Sequence, residues 1–105
     1  MDSEYAKLIV YVPEASAQAV REVLASQGCG NMGNYDSCSF SVKGVGRFRP
    51  LKGANPAVGT VGKLEEVVEE RIETICEKSK LKQVIEAVKK IHPYEEPAID
   101  ILPLL

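Results

Sequence analysis

Apolar and polar residues alternate with the two-residue period of a β-strand in four segments of the chain, and two further segments repeat their apolar residues at helical spacing. The segment 64–76 is ambiguous, because its glutamates favour a helix whereas its β-branched residues and the glycines before it favour a strand. We predict a strand. The order is therefore β-α-β-β-α-β. The predicted strands cover about 5–12, 36–43, 64–76 and 98–104, and the predicted helices about 14–27 and 79–91.

Local signals refine these elements. Gly28 is a typical stop for the first helix, and Ser79 is a plausible N-cap for the second. In the second strand the alternation predicts that Cys38, Phe40 and Val42 face inward, while the serines and Lys43 between them face outward.

This element order predicts one α+β domain over residues 1–105 with the ferredoxin-like βαββαβ fold, in which two helices cover one face of a four-stranded antiparallel sheet. The opposite face of the sheet is then open. Because an open apolar face is a liability for a monomer, we expect the chain to self-associate through it. The residues expected on this face are Tyr5, Ile9, Tyr11, Val67 or Val68, Ile75 and Leu102.

Composition narrows the possible partners. The chain has 105 residues, of which 45% are hydrophobic and 27% charged, as in an ordinary globular domain. Thirteen basic and fifteen acidic residues give a net charge of −2, which lacks the basic footprint of a nucleic-acid-binding protein. No apolar run reaches the roughly 20 residues that a membrane span needs, and the acidic start MDSEYAK does not resemble a secretory signal. We therefore expect a cytoplasmic protein with no nucleic-acid or membrane partner.

The cysteines and the single histidine argue against a metal site or other cofactor. Cys29, Cys38 and Cys76 form an odd set without a CxxC motif, so we expect three reduced thiols, with Cys38 and Cys76 in the core and Cys29 as a small residue of a glycine turn. A catalytic zinc site usually combines several His, Cys or acidic ligands, whereas this chain offers only His92 as a histidine.

The segment 44–62 is the most unusual part of the chain, because it contains five of the eight glycines and three cations but almost no acids. It matches neither the Walker loop nor the dinucleotide fingerprint. Its backbone amides and arginines can hold a phosphate or carboxylate; alternatively, its glycines only form turns and its cations pair with the acidic third strand. The candidate ligand-binding residues here are Gly44, Gly46, Arg47, Arg49 and Lys52.

The turn 92–97, HPYEEP, brings an imidazole, a phenol and two carboxylates together, so acid–base chemistry or metal binding through His92 is chemically possible. A structural turn or subunit contact explains the same residues: His92 lies in the last helical turn, Pro93 ends the helix and Tyr94 packs on the sheet. We therefore assign no catalytic residue, and keep His92, Tyr94 and Glu95 as candidate ligand-binding residues.

Three stretches resemble a known domain: GCGNMGNYDSCSFS (28–41), GVGRFRPLKGANPAVGTVGKLE (44–65) and IHPYEEPAIDILPL (91–104). They are similar to the domain inserted in many bacterial Nif-three-like proteins, whose fold is CutA-like and PII-like, and the HPYEEP ending also resembles CutA. The resemblance implies the ferredoxin-like fold, a tendency to form trimers, and a sensing or interaction role. In Nif-three-like proteins the ligands of a dinuclear metal centre lie in lobes that flank this domain and are not expected within these 105 residues.

Taken together, these features predict a cytosolic regulatory or interaction module, without chemistry of its own, that forms a homo-oligomer and by resemblance a homotrimer. We expect a small anionic metabolite or nucleotide, or a protein partner, to bind between subunits in grooves edged by the segments 44–62 and 92–97. PII proteins, by resemblance, bind nucleotides near a comparable connection. Two alternatives stay open: a metal-dependent hydrolase or its accessory subunit, and a divalent-cation-binding protein like CutA.

Overall fold

The computed structural model describes residues 3–105, which form one four-stranded sheet with two α-helices. Two short 3-10 helices, Glu14–Ser16 and Lys78–Lys80, lead into the α-helices. The elements, in chain order, are β1 (Tyr5–Pro13), α1 (Ala17–Ser26), β2 (Phe40–Phe48), β3 (Glu65–Glu77), α2 (Leu81–Ile91) and β4 (Ile99–Pro103).

The strands pair in the order β2-β3-β1-β4, and every pair is antiparallel. This arrangement confirms the predicted ferredoxin-like fold. The segment predicted at 64–76 is indeed a strand, because β3 is hydrogen-bonded on both sides, to β1 and to β2. These tertiary pairings outweigh the helical preference of its glutamates.

The core lies between the sheet and the two helices. Leu8, Val10 and Val12 of β1 alternate toward the helices and are fully buried. Val10 pairs with Ile72 of β3 on one side and with Ile99 of β4 on the other, so the three strands present apolar residues at the same level. The helices contribute Val20, Leu24, Val84 and Val88.

The prediction for β2 was wrong in its bounds and in its faces. The strand begins at Phe40 and continues to Phe48, so Gly44 and Gly46 lie in a strand and not in a loop. Phe40 pairs with Glu73, which places it on the face opposite the helices, where it is 65% exposed. On the helix side, Ser41 accepts a hydrogen bond from Arg21, whose guanidinium also pairs with Glu70 at 2.6 Å. This polar contact occupies the space that an inward-facing apolar strand would need.

The open face of the sheet combines apolar and charged side chains. Tyr5 and Leu102 are 40% and 47% exposed, whereas Ile9 is buried by its neighbours on this face. The strand register places Val67, and not Val68, on this side, since Val67 pairs with Gly46 and Val68 with Val45. A charged cluster lies among them, in which Glu73 binds Lys7 at 3.7 Å and Arg71 at 2.8 Å.

The ends of the helices agree only in part with the sequence. Gly28 ends α1 with a positive φ of 89°, as predicted. The N-cap of α2 is Lys80 and not Ser79, because the 3-10 turn Lys78–Lys80 delays the start of the helix to Leu81. No helix within residues 3–105 is long and apolar enough to cross a membrane.

The expectation of three reduced thiols was wrong, because Cys29 and Cys76 form a disulfide in the structure. Cys29 is buried beside the end of β3, where the N–H of Gly30 donates to the carbonyl of Ile75 at 2.8 Å. Gly30 has a φ of 83°, and a Cβ at this position would collide with the backbone of Cys38. The same turn leaves Cys38 as a partly exposed free thiol outside the core, contrary to its prediction.

We expect alkylation of the denatured, unreduced protein to label one cysteine, and alkylation after reduction to label three. Reduction should lower the free energy of unfolding by about 2–4 kcal/mol, because the disulfide restricts the unfolded chain. Mass spectrometry counts the labels, and urea unfolding with and without reductant measures the loss. The variant Cys38→Ser is the control and should take no label before reduction. Three labels on the unreduced wild type would contradict the pairing.

Candidate functional site

A cavity of about 590 Å³ lies between the segment that follows β2 and the turn that follows α2. Its floor is the open face of the sheet, and its walls come from both segments that the sequence singled out. The lining is mainly aromatic and aliphatic, with charged groups among it: Tyr11, Gly46, Arg47, Phe48, Arg49, Pro50, Leu51, Ala54, Pro56, Ala57, Val58, Glu69, Tyr94, Glu95, Glu96 and Ala98.

Tyr94 connects the turn to the sheet. Its ring meets that of Phe48 edge to face, with the ring centres 5.7 Å apart. Its hydroxyl donates to Oε2 of Glu69 at 2.9 Å. The carboxylate of Glu69 lies directly over Gly46, in the space that a Cβ there would occupy. Gly46 therefore serves close side-chain packing in a strand and not loop flexibility.

Burial raises the pKa of the Tyr94 phenol above its usual value, and the hydrogen bond to Glu69 and the negative charge of that carboxylate raise it further. The phenol therefore keeps its proton to higher pH than an ordinary tyrosine, and it acts as a donor. This keeps the Glu69 carboxylate fixed in the wall of the cavity.

His92 supports the turn and does not line the cavity. Its Nδ1 accepts the N–H of Tyr94 at 3.1 Å, so Nε2 carries the proton and donates to the carbonyl of Tyr11 at 2.7 Å. Both ring nitrogens are thus engaged, and the side chain is buried. These contacts favour the structural interpretation of the turn over metal binding or acid–base chemistry.

The candidate cations differ in their surroundings. Arg47 pairs with Glu66 at 3.2 Å, as the structural interpretation of the segment expects. Arg49 lines the cavity and is exposed, and within residues 3–105 it makes no ion pair. Lys52 and Gly44 are exposed and lie outside the lining. Of the three cations, Arg49 is the one that both lines the cavity and makes no ion pair within residues 3–105.

One hydrogen bond joins the two walls: the backbone N–H of Asn55 donates to Oε2 of Glu95 at 2.8 Å. Sequence reasoning included Glu95 but missed Asn55, as it missed Tyr11, Phe48 and Glu69. Continuing the alternation of β2 through Gly46 would have placed Phe48 on the same face as Phe40. No residue type in the sequence indicates the hydrogen bond between Asn55 and Glu95, because its donor is a backbone N–H.

In the described part of the chain, no group of three or more His, Cys, Asp or Glu side chains is placed to hold a metal ion. The cavity thus combines aromatic surface, three carboxylates and one guanidinium without an ion pair in the described chain, so apolar and charged groups occur in the same lining.

Comparison with known proteins gives the following relatives. A GTP cyclohydrolase 1 type 2 homolog of Bacillus subtilis is 51% identical over 98 residues, which are 93% of this chain and 26% of that protein. The protein of the same name from Mycobacterium tuberculosis is 42% identical over 99 residues, or 94% of this chain and 26% of that protein. The chain thus spans about a quarter of the length of the curated relatives it matches. No protein-family model matches the chain.

The chain also superimposes on solved structures of NIF3-related and CutA proteins. A Bacillus cereus protein related to NIF3 superimposes with a TM-score of 0.84 at 43% identity, over 99% of this chain and 26% of that one. CutA from Xylella fastidiosa superimposes with a TM-score of 0.71 at 17% identity, over 97% of this chain and 85% of that one, and therefore shows the fold alone. The periplasmic divalent cation tolerance protein CutA from Archaeoglobus fulgidus has a TM-score of 0.68 at 17% identity, with 95% and 83% covered.

The raised pKa of Tyr94 predicts a specific loss of stability at high pH. A phenol in the unfolded chain loses its proton near pH 10, whereas folded Tyr94 keeps it to higher pH. Its contribution to the free energy of unfolding is therefore complete below about pH 10 and decreases as the pH rises further. We expect the stability advantage of wild type over Tyr94→Phe to shrink above about pH 10 in urea unfolding. Tyr35→Phe, which removes a hydroxyl from a side chain that is 75% exposed, is the matched control. Parallel pH curves for wild type and Tyr94→Phe would contradict the raised pKa of Tyr94.

Proposed function

This chain is a relative of one segment of the NIF3-related proteins and has the fold of CutA, and on that premise we propose that it is a regulatory or interaction module. It binds a small ligand in the cavity between the segments 49–58 and 92–97. The observation that carries the proposal is the cavity itself. Its volume of about 590 Å³ lies within the usual range of small-molecule sites, roughly 300–1,000 Å³.

The lining supports a ligand with an apolar body and an anionic group. Phe48, Leu51 and Tyr94 offer apolar surface, whose burial by a ligand is favourable. Arg49 lines the cavity and makes no ion pair in the described chain, so its fork of N–H donors can bind a carboxylate or phosphate in two-point contact. Arg47, which was expected to share this role, is held by Glu66.

The proposal includes self-association, and a homotrimer in particular. The open face of the sheet exposes Phe40, Val42 and Leu102, which are 65%, 50% and 47% accessible. An apolar surface of this kind favours contact between copies. A protein partner on the same face is the second form of this proposal.

The alternatives rest on the names of relatives. The curated relatives are named for GTP, so guanine nucleotides belong among the ligands to test. A metal-dependent hydrolase, or the divalent-cation binding that the sequence left open, would need metal ligands close together. Among residues 3–105, no group of three or more His, Cys, Asp or Glu side chains is placed to supply them.

We expect Arg49→Ala to remove ligand-induced thermal stabilisation while the Tm of the unliganded protein stays within a few degrees of wild type, because Arg49 is exposed. Thermal shift assays with GTP, GMP, ATP, inorganic phosphate and a panel of carboxylate metabolites measure this. Lys52→Ala is the matched control, since it removes an exposed cation of the same segment that does not line the cavity. No shift with any anionic compound, or equal loss in both variants, would overturn the anionic ligand.

We expect Phe40→Glu to convert the oligomer into a particle near 11.5 kDa, because the charge would have to be buried between copies. Light scattering with size exclusion reports the mass. Met32→Glu is the control: Met32 is 52% exposed but lies in the connection before β2, outside the sheet. A wild type that is monomeric at working concentrations would contradict self-association.

A further inference from the structure

Glu69 is fixed in the wall of the cavity before any ligand arrives. It lies on the open face of β3, half-buried, with its carboxylate over Gly46 and one oxygen accepting the hydroxyl of Tyr94. A carboxylate has about four acceptor positions on its two oxygens. Tyr94 fills one of them, so Glu69 still has the capacity to accept further donors.

The cations nearest to Glu69 along the two strands are bound to other carboxylates. Lys43 is paired with Glu14 at 2.7 Å, and the hydrogen bond to that carboxylate, together with its negative charge, raises the pKa of Lys43 above its usual value. Arg47 is paired with Glu66, and Arg71 is paired with Glu73 at 2.8 Å. Among residues 3–105, no basic side chain lies within ion-pair distance of Glu69.

The surroundings of Glu69 complement a positive charge. The rings of Phe48 and Tyr94 line the same cavity, and aromatic faces attract cations. The ring of Tyr11 already has the guanidinium of Arg71 over it, with Cζ 6.0 Å from the ring centre. Glu95 and Glu96 add two more carboxylates to the lining, against which Arg49 is the one uncommitted guanidinium. Arg49 follows Gly46 by three residues and lies just beyond the end of β2, so the two charged groups attach to the cavity at different points along the chain.

We propose that the part of the cavity at Glu69 binds an ammonium group, so that the ligand is an amphoteric molecule: its ammonium contacts Glu69, its apolar body contacts Phe48 and Tyr94, and its anionic group reaches Arg49. This inference rests on the proposed function and names the chemical class of its ligand. Glu69 contributes an ionic hydrogen bond, Gly46 leaves space for its carboxylate, and Tyr94 orients it.

Three probes with the same aromatic ring separate the contributions of the two polar ends. 2-Phenylethylamine carries the ammonium alone, 3-phenylpropionate carries the carboxylate alone, and 4-(2-aminoethyl)benzoate carries both at opposite ends. Titration calorimetry and protein NMR measure their affinities for wild type, Glu69→Gln and Arg49→Ala. Glu86→Gln, an exposed change on α2 away from the cavity, is the matched control.

We expect 4-(2-aminoethyl)benzoate to bind most tightly. Glu69→Gln should weaken it and 2-phenylethylamine about tenfold, because glutamine keeps the contact to Tyr94 but loses the charge. The same variant should leave 3-phenylpropionate unchanged. Failure of 2-phenylethylamine to bind, or equal affinities in wild type and Glu69→Gln, would overturn the ammonium site. If 3-phenylpropionate, or any anionic compound of the thermal shift panel, still bound in an Arg49-dependent way, the proposed function would stand and the ammonium site alone would fail.

Discussion

The register of β3 against its two neighbours is the constraint on which the rest of the molecule depends. Successive residues of a strand point to opposite faces, so the adjacent residues Glu69 and Glu70 have different surroundings. Glu70 faces the helices and is bound by Arg21, which ties α1 to the sheet. Glu69 faces the other side and forms part of the cavity wall. A slip of one residue would exchange the two carboxylates and would also turn Ile72 out of the core.

The sequence predicted the order of elements and the fold, because the apolar periods of β1, α1, α2 and β4 agree with local stop signals. It misjudged β2 for two physical reasons. An apolar alternation shows which residues share a face but not which face is covered, and here the Arg21–Ser41 contact reserves the helix side for polar groups. A glycine-rich sequence is also typical of a loop. Gly46 nevertheless lies in β2, where the absence of a Cβ leaves space for the carboxylate of Glu69. The pairing of Cys29 with Cys76 depends on a turn that only the folded chain defines.

The two segments singled out in the sequence do meet, and they do so within one chain at the open face of the sheet. Arg49, Tyr94 and Glu95 line the cavity that results, whereas Lys52 and His92 do not. The sequence could not predict which residues of the sheet form the floor of the cavity. The positions of Tyr11 and Glu69 become part of a site only when β1 and β3 are adjacent and their registers are known. The composition of the segment 44–62 also suggested an anion site formed by several cations. Because Arg47 is paired with Glu66, fewer positive charges are available to an anion than the composition suggests.

The contact between Asn55 and Glu95 has unequal requirements at its two ends. Position 55 supplies a main-chain N–H, which every residue except proline possesses, whereas position 95 supplies a side-chain carboxylate. Pro56 already restricts the preceding residue to extended conformations, whatever its side chain. Neutral drift can therefore replace Asn55 by most amino acids while the bridge persists, but few replacements of Glu95 preserve it. Evolution is thus free to diversify one rim of the cavity while the opposite rim keeps the geometry in place.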